Sequence, residues 1–197
     1  MELVIASKNP GKIREIRGVL ALRGLELLTC EELGDWSEPE ETGATFAENA
    51  EIKARTLLQM FGRAALADDS GLVVDALGGR PGVHSSRYAG EEGDADRNMA
   101  RLLSELKGVL PDKRAARFVC VAVLAFPKSD RIVTRGECEG TILKERRGSG
   151  GFGYDPVFQP SGFERSMAEL SLDEKNSISH RGKALLLMRE ELARILK

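Results

Sequence analysis

Ala64-Ala65-Leu66-Ala67-Asp68-Asp69-Ser70-Gly71 joins a short apolar run to two adjacent carboxylates and a Ser-Gly step. The pattern predicts a buried strand that stops at its two acids, with residues 64 to 77 supplying strand material interrupted by Asp68-Asp69-Ser70-Gly71. Open α/β sheets bind their ligands beyond the carboxyl ends of their strands, so acids placed there stand at a ligand-binding edge. A hard cation such as Mg²⁺ suits them, because it binds through one or two carboxylates together with substrate phosphates. The alternative is a solvated strand end with a polar turn. The neighbouring segments weigh between the two.

Upstream, Leu3-Val4-Ile5-Ala6 has the composition of a buried strand, and Asn9-Pro10 looks like an N-cap followed by the first residue of a helix. Ile13, Ile16, Val19 and Leu20 continue at helical spacing. The linking segment, Ser7-Lys8-Asn9-Pro10-Gly11-Lys12, offers helix N-terminal N–H groups, hydroxyl and amide donors and full positive charges. That is an anion site by chemistry, although it has neither the Walker nor the Rossmann spacing; plain helix capping by Asn9 is its rival. A second helix is expected from Thr45, where Thr45-x-x-Glu48 matches a capping box, with Phe46, Ala50, Ala54, Leu57 and Phe61 as its apolar stripe. Asn49 and Lys53 lie one turn apart on one face. Glu41, just before this helix, could join Asp68 and Asp69 around a cation, and Lys53 could touch a phosphate; alternatively both are solvated charge.

Downstream, Gly78-Gly79-Arg80-Pro81-Gly82 must be a loop, and a third helix fits Asp94 to Leu106. Phe118 to Phe126 and Ile132 to Cys138 form a plausible antiparallel hairpin turning at Pro127-Lys128-Ser129-Asp130. Gly150-Gly151-Phe152-Gly153-Tyr154-Asp155-Pro156 sets aromatics among glycines, either exposed to stack on a base or packed on the core. The last helix is expected near Ser179. Lys175, His180, Arg181 and Lys183 then crowd its start, where positive charge opposes the helix dipole and hints at an anionic or carbonyl-bearing ligand.

At 197 residues, 42% hydrophobic and 30% charged, the chain reads as a single soluble α/β domain over 1–197. No apolar run nears the roughly 18 residues of a membrane span, and the N-terminus lacks the basic region of a signal peptide, so a cytoplasmic location is expected. With 29 basic against 31 acidic residues there is no bulk field for nucleic acid. Three cysteines without CxxC spacing and two histidines without a ligand pattern argue against a disulfide framework or a zinc centre.

Taken in order, these motifs resemble the inosine/xanthosine triphosphate pyrophosphatase family, the Ham1-like nucleotidases. The resemblance runs through Ala6–Lys12, Glu41-Thr42-Gly43 with Phe46–Ala50 and Lys53-Ala54, and Ala67–Leu72. It continues through Gly78–Val83 with Ser86-Arg87-Tyr88, Gly151–Pro156 and Ser179–Gly182. Ser7 stands where many relatives have Thr, and His84 where many have Tyr. The resemblance implies an elongated mixed sheet with flanking helices, two lobes around a central nucleotide-binding cleft, and a homodimer. It further implies Mg²⁺-dependent hydrolysis of ITP, dITP or XTP to the monophosphate and pyrophosphate, with Mn²⁺ as another candidate ion. On that pattern Asp69 is the base, Asp68 its helper and Lys53 a catalytic cation, while Glu41, Asp68 and Asp69 hold metal. Ser7, Lys8, Asn9 and Lys12 would bind the phosphates, Phe152 would stack on the base, Lys175, His180 and Arg181 would meet its polar edge, and Ser70, Gly153, Tyr154 and Asp155 would complete the substrate site. The rival readings are a related pyrophosphatase for pyrimidine or canonical nucleotides and a non-catalytic nucleotide binder.

Overall fold

The computed structural model describes the chain apart from Asp35, Glu91, Glu92 and Lys128, and only the backbone of Ser129 and Asp130. Among the described residues the strands are β1 (Glu2–Ile5), β2 (Glu26–Thr29), β3 (Ala64–Val74), β4 (Ala115–Phe126), β5 (Ser129–Ile142) and β6 (Phe158–Pro160). They form one sheet in the order β2-β1-β3-β4-β5-β6. β1 runs parallel to both β2 and β3, and β5 antiparallel to β6. The helices are α1 (Pro10–Val19), α2 (Cys30–Leu33), α3 (Phe46–Phe61), α4 (Ala95–Glu105), α5 (Leu172–Ile178) and α6 (His180–Ile195). No described helix is long and apolar enough to cross a membrane.

The chain divides into two compact units, neither continuous in sequence. The first comprises Met1–Asp69, Cys120–Gly136 and Arg181–Lys197; the second comprises Ser70–Val119 and Glu137–His180. In the first, Leu3, Ile5, Leu66, Ala122 and Leu124 of the strands pack with Ile16 and Leu20 of α1 and Leu185, Met188 and Leu192 of α6. Thr134 Oγ1 adds a hydrogen bond to the Ala184 carbonyl, 2.8 Å. Trp36, the chain's one tryptophan, is buried here. In the second unit Leu72, Val74, Phe118, Ile142 and Phe158 pack with Met99, Leu102 and Leu106, and both tyrosines, Tyr88 and Tyr154, belong to this core. Arg114 is buried there and donates to the carbonyls of Leu106, Ile142 and Leu143 at 2.7–2.9 Å, so carbonyl dipoles stand in for water around its charge.

Local signals act as read in several places. Asn9 caps α1 with Pro10 in its first turn, and Thr45 and Glu48 form the capping box of α3. β4 and β5 are sheet neighbours, though the turn assigned between them includes Lys128, outside the described residues.

Two expectations are corrected. β3 does not stop at Asp68-Asp69; it stays extended through Ser70-Gly71 to Val74, and the two acids are buried within it. A strand can carry charges at its middle when cations from elsewhere in the chain meet them, which is what happens here. Lys175 does not crowd the start of the last helix. Ser171 and Glu174 form a capping box that opens a separate helix, α5, and Lys175 lies in its last turn, where a positive charge suits the dipole.

Candidate active site

In the first unit α1 begins with its cap satisfied. Asn9 Oδ1 accepts from the N–H groups of Gly11 and Lys12, at 2.9 and 3.2 Å, and Ser7 Oγ accepts from the Asn9 N–H at 3.1 Å. Lys8 is exposed, with its ammonium 5.8 Å from the Trp36 ring centroid. Lys12 turns toward the strands and places Nζ 3.2 Å from Asp68 Oδ2.

Asp68 is buried and has several partners. Besides Lys12, its Oδ2 receives Arg181 Nε at 3.3 Å and lies 3.8 Å from the thiol of Cys120. Arg181 is itself buried and gives Nη1 to Glu15 Oε2 at 2.8 Å. Burial alone would raise the pKa of Asp68, but the charges of Lys12, Arg181 and Lys53 outweigh it and hold the carboxyl far below the usual range. The reciprocal holds for Arg181, whose pKa rises because Asp68 and Glu15 overcome its desolvation.

Asp69, the next residue, points into a different environment. Its Oδ2 accepts from Asn49 Nδ2 at 3.2 Å, and its Oδ1 lies 3.8 Å from Lys53 Nζ. Burial raises its pKa, Lys53 works against that, and the charge of Glu41 pushes up again, so the net shift is upward. Lys53 is only 3% exposed on α3 and donates to Glu41 Oε1 at 2.6 Å. Desolvation tends to lower its pKa, but Asp69, Glu41 and Asp68 together leave it raised, so its positive charge is secure.

In the second unit Phe152 stands 64% exposed on its glycine loop. Asp155, buried, pins that loop from below: Oδ2 accepts from the Phe152 N–H at 2.8 Å and from Lys175 Nζ at 2.6 Å. The Lys175 ammonium lies 4.4 Å from the Phe152 ring centroid, a cation–π contact. Gly151, at φ +73°, has no room for a side chain, since a Cβ would come 2.1 Å from Asp155 Oδ2. Tyr154 goes the other way, into the core, with its hydroxyl donating to the Ser85 carbonyl at 2.9 Å. His180 stacks on Phe118 at 5.1 Å between centroids.

Known proteins resemble this chain over nearly its whole length. The Ham1 family model matches residues 3–191. This chain belongs to the Ham1 family. It is 50% identical over 195 residues to a dITP/XTP pyrophosphatase from Geobacillus kaustophilus, covering 99% of this chain and 96% of that one. A HAM1 protein from Coxiella burnetii matches with a TM-score of 0.92 and 40% identity, over 98% of this chain and 99% of that one. The Ham1 protein of Staphylococcus aureus matches with a TM-score of 0.91 and 38% identity, over 99% and 100%.

Against this Ham1 fold the residues singled out in the sequence fall into groups. In the first unit Lys12, Asp68 and Arg181 meet in one set of ion pairs, and Glu41, Lys53 and Asp69 in another. Phe152, Asp155 and Lys175 meet in the second unit. Tyr154 packs in the core, and Ser70 continues β3. Asn49, the donor to Asp69, was noted in the sequence beside Lys53 without a role, and Glu15, the partner of Arg181, was not singled out. Both had a visible signal: Asn49 precedes Lys53 by one turn, and Glu15 follows Lys12 by three residues on α1.

The donor set also bears on metal binding. Among the described residues no three His, Cys, Asp or Glu side chains converge as a ready-made cage. Glu41 and Asp69 nevertheless fit Mg²⁺, which needs only one or two carboxylates and takes the rest of its shell from water and phosphate. Each acid faces Lys53, and the negative charge of Glu41 still raises the pKa of Asp69, so added positive charge there would relieve repulsion.

Proposed function

We propose that this chain hydrolyses non-canonical purine nucleoside triphosphates, dITP, ITP and XTP, to the monophosphate and pyrophosphate. The reading rests on one pairing of facts: a relative sharing half of all residues carries the name dITP/XTP pyrophosphatase, and Asp69 here is a buried carboxylate held between Asn49 and Lys53.

Water is added across the bond between the α and β phosphates, and Asp69 accepts the proton that the attacking water gives up. A raised pKa suits that task, because a carboxylate held far down, as Asp68 is, would be a feeble base. Lys53 keeps its charge and steadies Asp69 and Glu41. Asp68 acts behind them, fixing Lys12 and Arg181 through its buried ion pairs. Ser7, Lys8, Asn9, Lys12 and Ser70 are assigned to the phosphates. When bound, Mg²⁺ would be held by Glu41 and Asp69, with Asp68 adjacent, and would supply charge stabilisation for the phosphates.

Phe152 is assigned to stack on the purine, and Lys175 to its polar edge. The ammonium of Lys175 only donates hydrogen bonds, so it pairs with the 6-oxo group of hypoxanthine or xanthine and meets the amino group of adenine donor to donor. A site built on such a pair strongly rejects the wrong partner. The same reading has the enzyme acting on free nucleotides in the cytoplasm as a homodimer.

The test is pyrophosphate release from ITP, XTP, dITP, GTP, ATP and dTTP with Mg²⁺. Fast release confined to ITP, XTP and dITP is expected; ATP turned over as efficiently as ITP would sink the proposal.

A further inference from the structure

The side-chain amide of Asn49 has two partners on different segments. Its Oδ1 accepts from the Gly43 N–H at 2.8 Å, and its Nδ2 donates to Asp69 Oδ2 at 3.2 Å. The two contacts agree on which way the amide faces, since an N–H needs the oxygen and a carboxylate needs the nitrogen. Asn49 is 0% exposed. Around it the incoming loop is fastened to the first turn of α3, with Ala44 and Thr45 donating their N–H groups to Glu48 Oε2 at 2.7 and 3.1 Å. Gly43 lies so close that a Cβ would come 2.7 Å from Asn49 Oδ1 and 2.7 Å from Glu48 Cβ. Two residues earlier the same loop delivers Glu41 to Lys53.

The residue type is informative. The capping box needs only Thr45 and Glu48. Holding Gly43 needs only an acceptor, which Asp or Ser would supply. Only a group that accepts on one side and donates on the other can hold the loop and the carboxylate together.

We infer that Asn49 is a positioning residue: its amide fixes the rotation of the Asp69 carboxylate, ties one oxygen down, presents the other toward Lys53, and sets the Glu41 loop in register with it. This rests on the reading of Asp69 as the base. Asn49→Asp keeps the acceptor for Gly43 and replaces the neutral amide donor by a carboxyl that competes with Asp69 for one proton; Asn49→Leu loses both acceptor and donor.

The experiment compares these two variants, Asp69→Asn, and the double variant Asn49→Leu/Asp69→Asn, with ITP and Mg²⁺. Both single changes at 49 are expected to lower kcat about 10- to 100-fold, as loss of a supporting hydrogen bond does at comparable sites, with KM within about threefold. In the Asp69→Asn background Asn49→Leu should add less than about threefold, because residues that act as a unit are non-additive. Wild-type kcat in Asn49→Asp, or effects that multiply in full in the double variant, would overturn the inference. If Asn49→Leu does not melt cooperatively, Asn49→Asp decides alone. A crystal structure of Asn49→Asp gives a readout independent of turnover: the Asp69 carboxylate should leave its wild-type rotation, and an unmoved carboxylate overturns the inference whatever the kinetics. Failure of the functional reading is distinguishable, since it appears as wild-type enzyme that releases no pyrophosphate from ITP.

Discussion

The candidate residues of the first unit and those of the second solve opposite problems. In the first, charges are buried and interlocked: Asp68, Asp69, Lys53 and Arg181 are all nearly inaccessible, and each leans on at least one of the others. In the second, the aromatic is left in solvent and a single buried carboxylate, Asp155, holds the parts beneath it. The acids of the first face buried cations, Asp68 meeting Arg181 and Asp69 lying near Lys53. The exposed ring of the second is held through the contacts of Asp155 with the Phe152 N–H and Lys175.

That contrast can be broken at several points, beginning with the largest effect. Asp69→Asn should lower kcat about 10²- to 10⁴-fold, the usual worth of a positioned general base, with little change in KM. Steady-state pyrophosphate release checks it. Next is Asp68→Asn, which leaves Lys12 and the buried guanidinium of Arg181 without their shared acid. Breaking a buried pair in this way costs about 3–5 kcal/mol, to be read as a lowered urea midpoint.

The adjacent acids should also differ in sign. The folded pKa of Asp68 is depressed, so its stabilising contribution is present above the unfolded value near 3.9 and is lost as pH falls through the folded value. The folded pKa of Asp69 is raised, so its contribution is present below the unfolded value and is lost as pH rises through the folded one. Asp69→Asn should therefore be neutral or stabilising at pH 7 while Asp68→Asn destabilises, and between pH 5 and 2 the wild type should lose stability more steeply than Asp68→Asn. Denaturant titrations at each pH decide this, and destabilisation of equal size by both changes would erase the distinction.

In the second unit Phe152→Ala should raise KM for ITP about 5- to 150-fold, equivalent to about 1–3 kcal/mol of stacking, while moving the melting temperature little because the ring is exposed. Asp155→Ala releases both the Phe152 N–H and Lys175. It should reproduce that rise in KM and also destabilise the unit, by about 1–3 kcal/mol for the donors left behind. Calorimetric melts beside the kinetics separate the two variants.

What could be read from the amino-acid order follows how local each cause is. The cap at Asn9 and the box at Thr45 lie within four residues of what they act on, and both were legible. The box at Ser171 was equally local and was passed over, which misassigned Lys175 to the wrong helix. The course of β3 through its acids was not legible. Two buried carboxylates inside a strand make sense only with Lys12, Lys53 and Arg181 beside them, and Arg181 is 113 positions from Asp68. The glycine loop divides its aromatics, leaving Phe152 exposed and Tyr154 in the core.

The distribution of chromophores has a practical consequence. The lone tryptophan is buried in the first unit, and both tyrosines are buried in the second. Tryptophan emission excited at its red edge therefore reports on one unit, and tyrosine absorbance reports on the other, without any label. In a denaturant titration, coincident midpoints from the two signals would mean that the units unfold as one cooperative body. Separated midpoints would give each unit a stability of its own, and added ITP with Mg²⁺ would then reveal which of the two the ligand holds together.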